Sequence, residues 1–241
     1  MGTASETEFE SLFSRWKQKY TFNAFIKDGI VCPESYATPH ILFVLRDMNC
    51  HEARDLRDDL RSHGSGWKTW NNIGRWASAL LDGTDKYPSD MTEPRRVEQL
   101  RRIAVLNLKK EGGGNRTSGK ELAQAVCSQR EEILTEIEMC DPKLVICCGL
   151  TGAGIKGNAV LLKEEVFTET SDWRSFSSEL VGHKWWYYIA RLNGIEVPVV
   201  SFCHPQVTNL CGKRGHSDLF QPLYRDMLTI GNIFLKQQPE R

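Results

Sequence analysis

The sequence predicts an α/β protein: a three-layer α/β/α sandwich with a central, mainly parallel sheet. Three observations predict it. Runs of strand length that are apolar almost throughout recur at 41–45 (ILFVL), 103–108 (IAVLNL) and 143–148 (KLVICC), and strands buried on both faces read as such runs rather than as alternating ones. Segments with helical apolar spacing separate the runs. The strands end in polar residues, and open α/β sheets bind ligands at the carboxyl ends of their strands.

The elements follow in order. Residues 8–20 place Phe9, Leu12, Phe13 and Trp16 at helical spacing, so a helix precedes the strand at 41–45. After RDMN at 46–49, a charged stretch over 54–61 and GSGW at 64–67 suggest a loop leading into a helix over 70–81. An Asp-, Pro- and Thr-containing linker covers 82–94, and a short basic helix over 95–101 runs into the strand at 103–108. A Gly-rich loop and one long helix over 120–139 lead to the strand at 143–148. Runs at 185–191 and 196–202 flank Asn193-Gly194, a strong hairpin signal. A helix over 218–235 closes the pattern with Leu219, Leu223, Met227, Ile230 and Phe234 on its apolar side.

With 241 residues, 40% of them hydrophobic, the chain can bury a substantial core, and no Pro/Gly/Ser-rich stretch divides it. One domain is expected over 1–241, with its core at about 38–235 and 155–182 as an insertion over the pocket or a surface excursion. Lys and Arg total 31 and Asp and Glu total 31, so no net field draws the chain to DNA or membrane, and any nucleic-acid contact must be local. No apolar run reaches membrane-spanning length, and residues 1–10 lack the order of a signal peptide. The expectation is a soluble, intracellular monomer, cytoplasmic or nuclear, with no membrane partner. Its 8 cysteines include no C-x-x-C pair, so reduced thiols are expected, with Cys147 and Cys148 as small buried strand residues.

Residues 114–121 (GNRTSGKE) sit between strand and helix like a phosphate-binding loop, but Glu121 stands where the Mg²⁺-ligating Ser or Thr would be, which argues against nucleotide hydrolysis. The GLTGAG segment at 149–154 reads as a turn. A dispersed set carries more. Asp47, Asn107 and His204 each close a strand. Singly, they read as a helix cap, a loop amide and a turn residue. Together at one sheet edge, an amide can read a donor/acceptor pair on a flat heterocycle and an imidazole can face a developing oxyanion. The carboxylate then faces water or a cationic carbon, which is the chemistry of breaking an N-glycosidic bond.

In this order the motifs resemble the uracil-DNA glycosylase superfamily over about 38–235. ILFVL running into RDMN is similar to the family's strand followed by Gly-x-Asp/Asn-Pro, with Asp47 at the water-activating position. AVLN at 104–107 resembles the strand whose final Asn bonds the uracil edge. LVICCG at 144–149 resembles the family's strand, glycine and helix. VVSFCHP at 199–205 resembles the strand into His-Pro-Ser, whose His donates to the uracil oxygen. The chain departs from the pattern with Leu45 for Gly, Met48 for Pro and Gln206 for Ser. Asn49 stands where one branch has Tyr and others Gly, which leaves the base open.

The resemblance implies a base pocket of Asn107, Met48 and Asn49, with Trp67 as the stacking aromatic. Trp70 could equally be a core residue of the next helix. It also implies a DNA-binding loop in which Gln206 follows His204, Leu210 is the wedge, and Lys213 and Arg214 meet phosphates. Arg95, Arg96, Arg101, Arg102, Lys109 and Lys110 form a basic stretch that either tracks a phosphate backbone or is a solvated face. Trp185, Trp186, Tyr187 and Tyr188 read as edge-strand packing. The expected function is a monofunctional DNA glycosylase that needs no metal or cofactor and acts on uracil or another deaminated or damaged base in DNA. Its rivals are a non-catalytic nucleic-acid- or protein-binding module on the same fold and an enzyme acting on free nucleosides or nucleotides.

Overall fold

Apolar runs that are buried on both sides form the middle of the sheet. A computed structural model describes residues 3–112, 117–152 and 154–236. Its elements are α1 (Glu6–Lys19), β1 (Ile26–Lys27), β2 (Gly29–Ile30), β3 (Ile41–Leu45), β4 (Arg54–Asp55), α2 (Leu56–Ser62), α3 (Lys68–Asp82), α4 (Glu93–Leu100), β5 (Ala104–Asn107), α5 (Gly119–Ser128), α6 (Arg130–Met139), β6 (Leu144–Cys148), α7 (Asn158–Leu161), β7 (Arg174–Ser177), β8 (Lys184–Leu192), β9 (Ile195–Phe202) and α8 (Gln221–Phe234). The main sheet runs β2-β5-β3-β6-β9-β8-β7. Its four central strands, β5, β3, β6 and β9, are parallel, and the flanking β2, β8 and β7 pair antiparallel.

Alternate residues of the central strands feed separate cores. Phe43, Leu45, Val105, Ile146 and Phe202 pack with Leu60 of α2, Ile73 and Trp76 of α3, Leu100 of α4 and Met227 of α8. Leu42, Val44, Leu106, Val145 and Val199 pack with Phe13 and Trp16 of α1, Val126 of α5, Ile137 of α6 and Leu161 of α7. The molecule is therefore mixed α/β with helices flanking a mainly parallel sheet, an arrangement compatible with a three-layer sandwich.

Register decides where the strand ends meet. Leu45 pairs with Asn107, Val44 with Cys147, and Cys148 with Phe202. Leu45, Asn107, Cys148 and Phe202 thus lie on one line across the sheet, with Asp47 and His204 each just beyond it. The chain leaves β3 for β5 on one side and then crosses to β6 on the other. That reversal is where open α/β sheets form a crevice. Asn158 bridges it, donating from Nδ2 to Cys148 O at 2.9 Å and Val44 O at 3.3 Å.

Several expectations change. The long helix expected over 120–139 is broken at Gln129 between α5 and α6. The Tyr20 hydroxyl donates to Ser128 O at 2.6 Å and the buried Trp16 Nε1 to Gln129 Oε1 at 3.0 Å, so α1 is anchored at the break. The charged stretch over 54–61 is β4 and α2 rather than loop, since Leu56 and Leu60 lie one turn apart and are buried. The region 155–182 contributes Leu161, Leu162 and Val166 to a core, and β7 forms the sheet's edge. The aromatic strip is therefore one strand in from that edge. Trp185 and Tyr188 are buried and Trp186 exposed, and Asn193 and Gly194 take positive φ as the predicted turn requires. Of the GNRTSGKE segment, residues 114–116 lie outside the described residues. Ser118 and Glu121 form a reciprocal capping box at the start of α5, the physical reason for a Glu there. Ala153 of the GLTGAG turn also lies outside the described residues. The cysteines are free thiols, with Cys147 and Cys148 fully buried, and no described helix is long and apolar enough to cross a membrane.

Candidate active site

The strand ends open into a cavity of about 460 Å³, a volume that suits a small organic ligand. Its lining includes Asp47, Met48, Asn49, Asn107 and His204 from the strand ends and Trp67, Thr69 and Trp70 from the start of α3. Gln206, Leu45, Arg46 and Leu56 complete it. All the base-binding and catalytic residues expected from the sequence meet here, with Gln206. Leu210, Lys213 and Arg214 do not line the cavity.

The amino end of α3 holds the loop after β9. Asn72 Nδ2 donates to Pro205 O at 2.5 Å, and Gln206 Nε2 donates to Thr69 Oγ1 at 2.7 Å. Gln206, expected at DNA, thus spends its amide N–H on α3. Its backbone N–H donates to His204 Nδ1 at 3.1 Å. A backbone N–H can only donate, so Nδ1 is the acceptor and the proton of the neutral ring lies on Nε2. The ring is exposed on the cavity, whose wall partly desolvates it. This desolvation lowers its pKa below 6.5, as does the Arg46 charge, while Asp47 opposes them. The neutral donor tautomer is favoured.

Asp47 is half-buried, and its Oδ2 accepts from the Thr117 hydroxyl of the loop before α5. Asn107 is buried. Its backbone N–H and its Nδ2 donate to Asp28 Oδ2 at 2.7 and 2.9 Å. Trp70 is 3% exposed and belongs to the core, whereas Trp67 is 43% exposed. Of the two, Trp67 is the one with exposed surface for a stacking ligand.

No protein-family model, curated protein or solved structure matches this chain.

Arg46 and Thr69 line the cavity without having been singled out in the sequence. Arg46 directly precedes Asp47 at a strand end, which was the available signal. Its Nη2 is buried with no hydrogen-bond partner among the described residues. The basic stretch does not form a continuous phosphate track. Arg96 is buried and donates to Gly64 O and His63 O, Arg102 pairs with Asp82, and Lys110 is fully buried. Arg95 and Arg101 remain exposed. Leu210 is half-buried against the core at the base of a tight turn whose tip, Cys211-Gly212, has positive φ. Lys213 and Arg214 are exposed beside it. Among the described residues, no group of three His, Cys, Asp or Glu could hold a metal ion.

Proposed function

We propose that the chain is a DNA glycosylase on the uracil-DNA glycosylase plan, hydrolysing the N-glycosidic bond of uracil or another deaminated or damaged base. The observation that carries this reading is the convergence of Asp47, Asn107 and His204 from three strands on one cavity. A base turned out of its strand stacks on Trp67 and presents its polar edge to Asn107. The bond from C1′ to the base nitrogen breaks with its electron pair leaving on the base, and the His204 Nε2–H stabilises the oxygen that takes up this charge. Asp47 balances the cationic sugar and orients a water molecule, whose oxygen bonds to C1′ while its proton passes to the carboxylate. The departing anion is protonated on release. Exposed Lys213 and Arg214 supply local phosphate contacts on a chain with no net charge.

The test is cleavage of single-stranded and duplex oligonucleotides carrying uracil, hypoxanthine, xanthine or hydroxymethyluracil, with Asp47→Ala as control. Abasic product that disappears in the variant supports the reading and names the base. Tight binding of such DNA with no product under enzyme excess would replace it by a non-catalytic binding module. Turnover confined to mononucleotides would replace it by a nucleoside or nucleotide hydrolase.

A further inference from the structure

A buried polar chain runs from the cavity wall to α6. Asp28 lies between β1 and β2, and its side chain is inaccessible to solvent. Its Oδ2 takes both donors of Asn107, at 2.7 and 2.9 Å, and its Oδ1 takes the Lys110 ammonium. Lys110 is also fully buried, with Glu136 Oε2 2.6 Å from Nζ and the Trp16 ring centroid 5.2 Å away. Burial pushes the Glu136 carboxyl well above the usual range, with the Lys110 charge opposing it. Asp28, which receives three donors, is the acceptor that pairs with Lys110. Buried ion clusters of this kind rarely add net stability over apolar packing. This one ends on a residue of the cavity.

We propose that Asp28 is a positioning residue that locks the amide of Asn107 in one orientation, and thereby restricts the cavity to bases with a lactam edge. This rests on the glycosylase reading for its substrate but not for its geometry. An asparagine amide can ordinarily turn over, exchanging its oxygen for its nitrogen. Here turning over would set Oδ1 against a carboxylate oxygen, acceptor against acceptor. Asn107 therefore presents Oδ1 as acceptor and its second Nδ2–H as donor in a fixed order. A ring N–H beside a carbonyl, as in uracil, hypoxanthine or xanthine, satisfies both. The ring nitrogen and amino group of cytosine or adenine need the opposite order, which only a reversed amide supplies. In the glycosylase reading the sugar-bearing nitrogen and His204 fix the far side of the ring, so the ring does not reverse instead. Lys110 engages the other oxygen of Asp28, and Glu136 closes the shell on the far side of the ammonium.

The experiment uses the full chain, labelled with ¹⁵N, and reads the Asn107 side-chain amide while 1-methyluracil, 9-methylhypoxanthine, 1-methylcytosine or 9-methyladenine is added, the methyl group standing where the sugar would be attached. Wild-type protein should show slowly exchanging Nδ2 protons and bind the lactam bases at least about tenfold more tightly than the amino bases. Asp28→Asn should speed that exchange and reduce the preference about tenfold or more, while Glu136→Gln leaves both unchanged. If Asp28→Asn does not fold, Asp28→Asn with Lys110→Met makes the same comparison without an unpaired ammonium. Fast exchange in wild type, no preference in wild type, or full preference in a folded Asp28 variant overturns the proposal. Lactam preference that depends on Asp28 but comes with no oligonucleotide cleavage upholds it and removes the glycosylase reading alone.

Discussion

The backbone N–H of Gln206 donates to Nδ1 of His204 at 3.1 Å, and this single bond leaves the proton of the neutral ring on Nε2. Protonating the ring would put a second hydrogen against that N–H and a second cation near Arg46. The pKa of His204 is lowered, first by desolvation and then by Arg46. The neutral form therefore persists below the ordinary histidine range, and the acid limb of the pH–rate profile attributable to His204 should fall below pH 6.5. A depressed folded-state pKa gives a contribution to stability that is complete above the unfolded value and lost as pH falls through the folded one. Histidine ring resonances followed against pH in the free protein check both; a His204 midpoint above 6.5 would remove the argument.

Asp47→Asn and His204→Ala should each lower the cleavage rate by about 10²–10⁴-fold, the range for a removed base or oxyanion donor. Both residues sit at the cavity rather than in a core, so thermal unfolding should move little. Single-turnover cleavage and a melting curve on each variant are sufficient, and retained activity in both would remove the site.

The two tryptophans at the start of α3 should separate. Trp70→Ala empties a core position and should cost about 3–5 kcal/mol. Trp67→Ala should leave unfolding nearly unchanged, since its ring is 43% exposed, yet weaken base binding by about 1–3 kcal/mol, the usual worth of a stacking aromatic. Denaturant melts and base titrations on the pair distinguish these roles.

Asp226 on α8 accepts from Ser178 Oγ at 2.7 Å, Glu179 N at 2.8 Å and Trp185 Nε1 at 2.8 Å. Burial nevertheless raises its pKa. A raised carboxyl favours the folded state below its unfolded value, and that advantage is lost as pH rises through the folded one. The stability of wild type relative to Asp226→Asn should therefore increase as pH falls from neutral towards 4. A constant difference across that range, measured by urea unfolding, would contradict the assignment.

Much of the fold is legible in the sequence because β3, β5, β6 and the middle of β9 are buried on both faces, and a largely apolar run has few other homes. The short strands escape: β1, β2 and β4 span 2 residues each, too few to show a period. The break at Gln129 escapes because α5 and α6 are each good helical sequence, and only α1 packing against the joint separates them. Within the site, Asp47, Asn107 and His204 announce themselves as polar ends of apolar strands. Asp28 gives no such signal, and Lys110, next to Lys109, reads as part of a basic face until the fold buries it.

The sequence by itself determined that apolar strands alternate with helices and that a carboxylate, an amide and an imidazole close three of those strands. Local composition sufficed, because burial on both faces and chain termination at the strand end are recorded residue by residue. Tertiary structure decided the rest. Placing β3 between β5 and β6 in the observed register brings residues 47, 107 and 204 to one cavity. The contact of Asp28 with Asn107 chooses the direction of an amide, and Gln206 chooses the tautomer of an imidazole. These outcomes depend on groups far apart in the chain or on backbone geometry, and no local pattern encodes the distance between them.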